Sequence, residues 1–143
     1  MKKVLVFGVF DGIHPGHRAM IKEAKKYGDK LIIAIAPDEV VKILKGLLPN
    51  KNLKERMKDL KKEKGVDQVV AGDAKMGEWR VVKEYQPDVI ACGYDQEDLK
   101  KELEKYLENL EKKPQIVSLK PFKPKKYHSS LLKNLKLWLY ARY

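Results

Sequence analysis

The sequence predicts an α/β chain, a Rossmann-like, doubly wound sheet of five parallel strands with helices on both faces. Three observations predict it. Short apolar runs rich in β-branched residues recur along the 143 residues, stretches of helical periodicity separate them, and no repeat or Gly/Ser linker divides the sequence. Such runs are typical of strands buried on both faces, and their alternation with helices implies right-handed crossovers between parallel neighbours. Residues 1–143 are accordingly read as a single domain, a length suited to one core.

Val4–Phe7, Leu31–Ala36, Gln68–Val70, Asp88–Ala91 and Gln115–Val117 are the five strands. Between them, Met20, Ala24 and Tyr27 share one helical face, Leu53, Met57 and Leu60 another, and Leu99, Leu103, Tyr106 and Leu110 a third. Leu131–Tyr140 reads as a last helix. In open parallel sheets, ligands bind beyond the carboxyl ends of the strands, where the strand order reverses. Three segments are therefore expected to meet there: residues 8–17, residues 93–96 and the stretch around His128.

The formal charge of +11 favours anionic partners, whether nucleic acid, an acidic membrane surface or small phosphorylated molecules. The basic residues are interspersed with acids, as in Lys54-Glu55-Arg56, the pattern of solvated helix faces; they form no recognisable nucleic-acid-binding motif. No apolar run approaches the roughly 20 residues of a membrane-spanning helix. The basic start, Met1-Lys2-Lys3, leads through a short apolar run into Asp11-Gly12 without a small-residue cleavage site, as a first strand does and a signal peptide does not. Cys92 is the only cysteine, which excludes an internal disulfide and suits a reducing compartment. Together these features place the protein in the cytoplasm.

The chemistry concentrates in Gly8-Val9-Phe10-Asp11-Gly12-Ile13-His14-Pro15-Gly16-His17, which turns directly from a strand into a helix. Pro15 suits the first helical turn, Gly16 permits close backbone approach, and the unpaired amides of a helix start attract anions. His14 and His17, three residues apart, are placed to address one bound phosphate from the same side. Imidazoles there can donate hydrogen bonds to charge that develops in phosphoryl transfer. A zinc site would have only Asp11 as an obvious third ligand, so no metal is assigned to the protein itself.

This segment resembles the GxFDxxHxGH signature of the cytidylyltransferase-like nucleotidyltransferase superfamily. Gly8, Phe10, Asp11, His14, Gly16 and His17 all stand at its spacing, with Val9 where a threonine or small residue is common. Residues 36–41 with Lys45-Gly46 resemble the superfamily's second strand and the basic loop after it, and Glu55-Arg56 its next helix. Gly93-Tyr94-Asp95-Gln96 resembles a motif of the archaeal FAD synthases, the branch to which the chain is most similar. His128-Ser129-Ser130 stands where the superfamily has ISSTxxR, with Lys133 at best in place of the arginine.

The resemblance implies a transfer of AMP from ATP to FMN with release of pyrophosphate, assisted by Mg²⁺ or another divalent cation. It also implies site roles. His14, His17 and Lys45 are the expected catalytic residues, with Lys42 the alternative to Lys45 as phosphate clamp. Gly8, Val9, Phe10, Asp11, Pro15, Gly16, Asp95, Ser129 and Ser130 are expected at the nucleotide. Trp79, Phe122 and Lys133 are candidates for the acceptor, although a tryptophan is more often a core anchor, and Asp95 and Ser129 also suit helix caps. The competing functions are a glycerol-phosphate-type cytidylyltransferase using CTP and, outside the enzymes, a basic nucleic-acid-binding module with a decayed nucleotide pocket. A homodimer is compatible with every reading.

Overall fold

The computed structural model describes residues 1–74, 78–93 and 96–119. Its elements run β1 (Lys3–Gly8), α1 (Pro15–Lys25), β2 (Lys30–Ile35), α2 (Asp38–Lys45), α3 (Leu53–Lys61), β3 (Gln68–Ala71), α4 (Arg80–Tyr85), β4 (Val89–Cys92), α5 (Glu97–Leu107) and β5 (Gln115–Ser118). All strand pairs are parallel, in the order β3-β2-β1-β4-β5. The chain therefore winds outward from β1 through β2 to β3, then returns to the other side of β1 for β4 and β5. The reversal lies between β1 and β4, the crevice where such sheets take ligands.

Alternate residues of each strand feed two separate cores, because successive side chains of a strand point to opposite faces. Leu5, Phe7, Ile32 and Ala34 pack with Val40 and Val41 of α2, Val81 and Val82 of α4, and Leu99, Leu103 and Leu107 of α5. Val4, Val6, Leu31 and Ile33 pack with Ile21 and Ala24 of α1 and Leu60 of α3. Each fully buried Leu, Ile or Phe contributes about 1.5–3 kcal/mol relative to exposure, so this double burial is the main stabilising term. Leu53 and Met57, expected beside Leu60, are partly buried, and Tyr27 follows the end of α1 while still packing on its core.

Two helices differ from the sequence reading. Residues 36–46, expected as the end of a strand and a basic loop, instead form α2, and β2 stops at Ile35. The adjacent Val40-Val41 pair looks like strand continuation, but Asp38 and Glu39 complement the helix dipole in the first turn and Gly46 ends the helix in the left-handed conformation, φ 76°. α4 was not anticipated; six residues are too few for periodicity to register. Its first amides are taken by a distant side chain, with Asp73 accepting from Arg80 N at 2.8 Å and Val81 N at 3.2 Å. The expected helix Leu131–Tyr140 lies outside the described residues. Among the described residues no helix is long and apolar enough to cross a membrane.

Candidate active site

The site begins where β1 runs out. Gly8 is required by contact: a Cβ there would lie 2.5 Å from Cε2 of Phe10, whose ring folds back over it. Phe10 adopts φ 52°, a left-handed conformation costly for a bulky residue, and is 4% exposed. Its ring centroid lies 4.9 Å from that of His17. Phe10 is thus the floor on which His17 rests.

α1 starts on a reciprocal cap made by two histidines. His14, extended at φ −127° and ψ 172°, is the N-cap, and its Nδ1 accepts from Gly16 N at 3.0 Å and His17 N at 3.3 Å. In return, His14 N donates to Nδ1 of His17 at 3.4 Å. The two rings stack at 3.8 Å with 18° between their planes. Pro15 follows at the first helical position, where its missing N–H wastes no bond. An imidazole that accepts at Nδ1 carries its neutral-state proton on Nε2, so the backbone cap fixes the tautomer of both rings.

Electrostatics keep them neutral. Burial is the main cause that lowers the pKa of His17 to about 4; the neighbouring His14 and the Lys45 charge act in the same direction, against a hydrogen bond to the Gly12 backbone. His14 is lowered too, first by burial and then by the Arg18 charge. Protonating His14 on Nδ1 would break two hydrogen bonds from the α1 amides. Lys45, in the last turn of α2, is half-buried, and burial also pulls its pKa down, opposed by the Asp11 carboxylate and reinforced by Arg56. Lys42, the alternative clamp, is exposed.

The packing around this group depends on a residue the sequence reading gave no site role. Arg56 of α3 is completely buried. Its Nη1 donates to the carbonyls of Val9 at 3.0 Å and Ala36 at 2.8 Å, its Nε to the Lys51 carbonyl at 3.0 Å, and its Nη2 to the Asp38 carboxylate at 2.6 Å. One guanidinium therefore ties the loop after β1, the end of β2, the start of α2 and the approach to α3. The Asp11 carboxylate adds a second tie, accepting from Asn50 N at 2.8 Å and Lys51 N at 3.0 Å. Arg56 was visible in principle: it stands three residues after Leu53 and four before Leu60, on the apolar side of α3, where an arginine needs partners.

The structure thus brings Gly8, Val9, Phe10, Asp11, His14, Pro15, Gly16, His17 and Lys45 together at the carboxyl edge of β1. Within this group, Val9 contributes a carbonyl to Arg56 while its side chain packs on the core. At the β1/β4 crevice, Gln96 bridges the diverging strands: its Oε1 accepts from Gly93 N at 2.8 Å and its Nε2 donates to the Phe7 carbonyl at 3.2 Å. Trp79 stands apart from the histidines as a core residue, 5% exposed, edge-on to Phe7 with centroids 5.9 Å apart. Asp95, Phe122, Ser129, Ser130 and Lys133 lie outside the described residues. Among the described residues no three His, Cys, Asp or Glu side chains converge on a metal position.

A strand-to-helix turn with a paired-histidine cap at the switch point of a parallel sheet defines a nucleotide-binding α/β enzyme. The cytidylyltransferase-like family matches residues 5–134 of this chain. The FAD synthase of Thermococcus sibiricus is 41% identical over 107 residues, 72% of each chain. That of Pyrococcus horikoshii is 43% identical over 113 residues, 76% of each. The crystal structure of the lipopolysaccharide core biosynthesis protein from Thermoplasma volcanium superposes with a TM-score of 0.79 and 32% identity, covering 86% of this chain and 99% of that one. This chain belongs to the cytidylyltransferase-like family and is a nucleotidyltransferase.

Proposed function

We propose that this enzyme makes FAD, joining the AMP unit of ATP to the phosphate of FMN and releasing pyrophosphate. The observation that carries the chemistry is the neutral His14–His17 pair fixed by its own helix cap, with the Lys45 cation close enough to lower His17. The FAD synthase relatives support the choice of acceptor and nucleotide.

An FMN phosphate is already anionic at neutral pH, so it attacks the α-phosphorus of ATP without a general base. One P–O bond forms between the FMN phosphate oxygen and the α-phosphorus, the bond from the α-phosphorus to the bridging oxygen breaks, and that oxygen leaves with pyrophosphate. In this reading His14 and His17 donate from Nε2 to the α-phosphate and the bridging oxygen, His17 exchanging its bond to the Gly12 backbone for the nucleotide. Lys45 closes over the outer phosphates as a point charge. The α1 amides beyond the cap add the partial positive charge of a helix start.

A divalent cation supplies charge neutralisation on the departing pyrophosphate when it is bound. Both Asp11 carboxylate oxygens are engaged with backbone amides, and the described residues form no three-ligand cage. In this reading the ion arrives with the nucleotide as the counter-ion of its phosphates. We place the reaction in the cytoplasm.

The test is direct. Purified protein with Mg²⁺ is incubated with ATP or CTP against FMN, glycerol phosphate and ethanolamine phosphate, and pyrophosphate is measured. Release that requires ATP and FMN together supports the reading; release with CTP and glycerol phosphate alone replaces it with the cytidylyltransferase reaction.

A further inference from the structure

FMN has two unlike ends, a phosphate that must reach the histidine pair and a large, mostly apolar ring joined to it by a five-carbon chain. The ring needs apolar surface within that tether's reach of the phosphate residues. Of the two aromatic residues that the sequence offers for the acceptor, Phe122 lies outside the described residues, and Trp79 is packed into the core against Phe7 and presents no open face. The large hydrophobic side chains that are exposed among the described residues are Met1, at 90%, and Ile43, Leu47 and Leu48, at 57%, 74% and 61%. Met1 precedes β1, at the opposite end of the sheet from the site. The other three fall within six residues, on both sides of Lys45.

We propose that Ile43, Leu47 and Leu48 receive the isoalloxazine ring of the acceptor. This rests on FMN being that acceptor. A single exposed leucine is ordinary. The weight lies in the continuity of the three with a functional cation. The chain after α2 borders the phosphate site, because the Asp11 carboxylate of the histidine turn accepts from Asn50 N at 2.8 Å and Lys51 N at 3.0 Å, and half-buried Lys45 stands close enough for its charge to act on His17. Gly46 ends the helix at φ 76°, a Cβ built on it would meet nothing within 4 Å, and Leu47 and Leu48 follow it exposed. Polar and apolar halves of one segment then match the polar and apolar halves of one ligand. Lys45 addresses the phosphates, and the aliphatic side chains cover the ring.

The inference predicts a selective effect on FMN. Ile43→Ser and the double variant Leu47→Ser with Leu48→Ser are compared with the unmodified enzyme, measuring KM for FMN, KM for ATP and kcat by FAD formation. Loss of this apolar cover should raise KM for FMN about 10-fold or more while KM for ATP changes less than about 2-fold. Leu47→Trp adds a positive signal, stronger quenching of flavin fluorescence when FMN binds. Unchanged KM for FMN overturns the inference. So does a fall in melting temperature or a changed oligomeric state with KM for FMN intact, which would mean that another part of the chain or a second copy covers these residues. If the unmodified enzyme makes no FAD from FMN and ATP, the proposed function fails first and takes this inference with it.

Discussion

The ring of His14 lies parallel to that of His17 at 3.8 Å, and each Nδ1 accepts a backbone hydrogen bond from the other residue. Nδ1 serves the helix start, which leaves Nε2 as the proton-bearing nitrogen. In the proposed mechanism, helix capping and phosphate chemistry therefore fall on different atoms of the same side chains. His17→Ala should lower kcat at least about 100-fold, the scale for loss of a preorganised donor, and cost about 1 kcal/mol as a weakened cap. Pyrophosphate release and thermal melting check the two effects separately. A fully active variant would remove His17 from the mechanism.

Acid should destabilise the protein through this pair. With His17 lowered from 6.5 to about 4, the unfolded chain binds more protons than the folded one between those values. The stabilisation is complete above about pH 6.5 and is lost as pH falls toward 4, up to about 3 kcal/mol. Urea unfolding at pH 7, 6 and 5 should show the decline. His17→Gln should flatten it; an equal slope in that variant would assign the effect elsewhere.

Lys45 and Lys42 are separable by a measurement that needs no turnover. Because the Lys45 charge helps to hold His17 down, Lys45→Met should raise the His17 pKa in an NMR titration, whereas Lys42→Met should leave it in place. In activity, Lys45→Met should lower kcat about 100-fold and Lys42→Met less than about 2-fold. Equal effects of the two would refute the assignment.

Arg56→Leu should cost about 3 kcal/mol or more, because it strands the Asp38 carboxylate and leaves the Val9 and Ala36 carbonyls without their shared donor. Asp38→Asn, which keeps a hydrogen-bond acceptor, should cost about 1 kcal/mol. Denaturant midpoints provide the comparison. A loss below about 1 kcal/mol for Arg56→Leu would show that the network is dispensable to stability.

The strands were legible because each is a short β-branched run bounded by polar residues, and their parallel arrangement followed from the helices between them. The histidine turn was legible because its residues are consecutive. The burial of Arg56 was legible in its place on the apolar side of α3, but its network was not, since Val9, Ala36 and Asp38 are remote in sequence and the acceptors at Val9, Ala36 and Lys51 are carbonyls, which every residue has. Residues 38–45 were misread because two adjacent valines fit a strand as well as a helix, and only the core on which Val40 and Val41 pack decides between them. A capping role for His14 is what a histidine at such a turn ordinarily offers; what the sequence does not show is that cap and site residue are one, since histidine is not among the usual N-cap residues.

α1 packs on one face of the sheet and α2 on the other, so the histidines and Lys45 are carried by different layers of the molecule. The distance between the histidine pair and the Lys45 ammonium is set by the thickness of the sheet and the seating of both helices upon it. A small void opened under α2, far from any phosphate, would let that helix settle and draw Lys45 out of alignment. Turnover in this enzyme should therefore register core packing as a caliper registers the gap between its jaws, and substitutions such as Val41→Ala become gauges of how finely that gap is set.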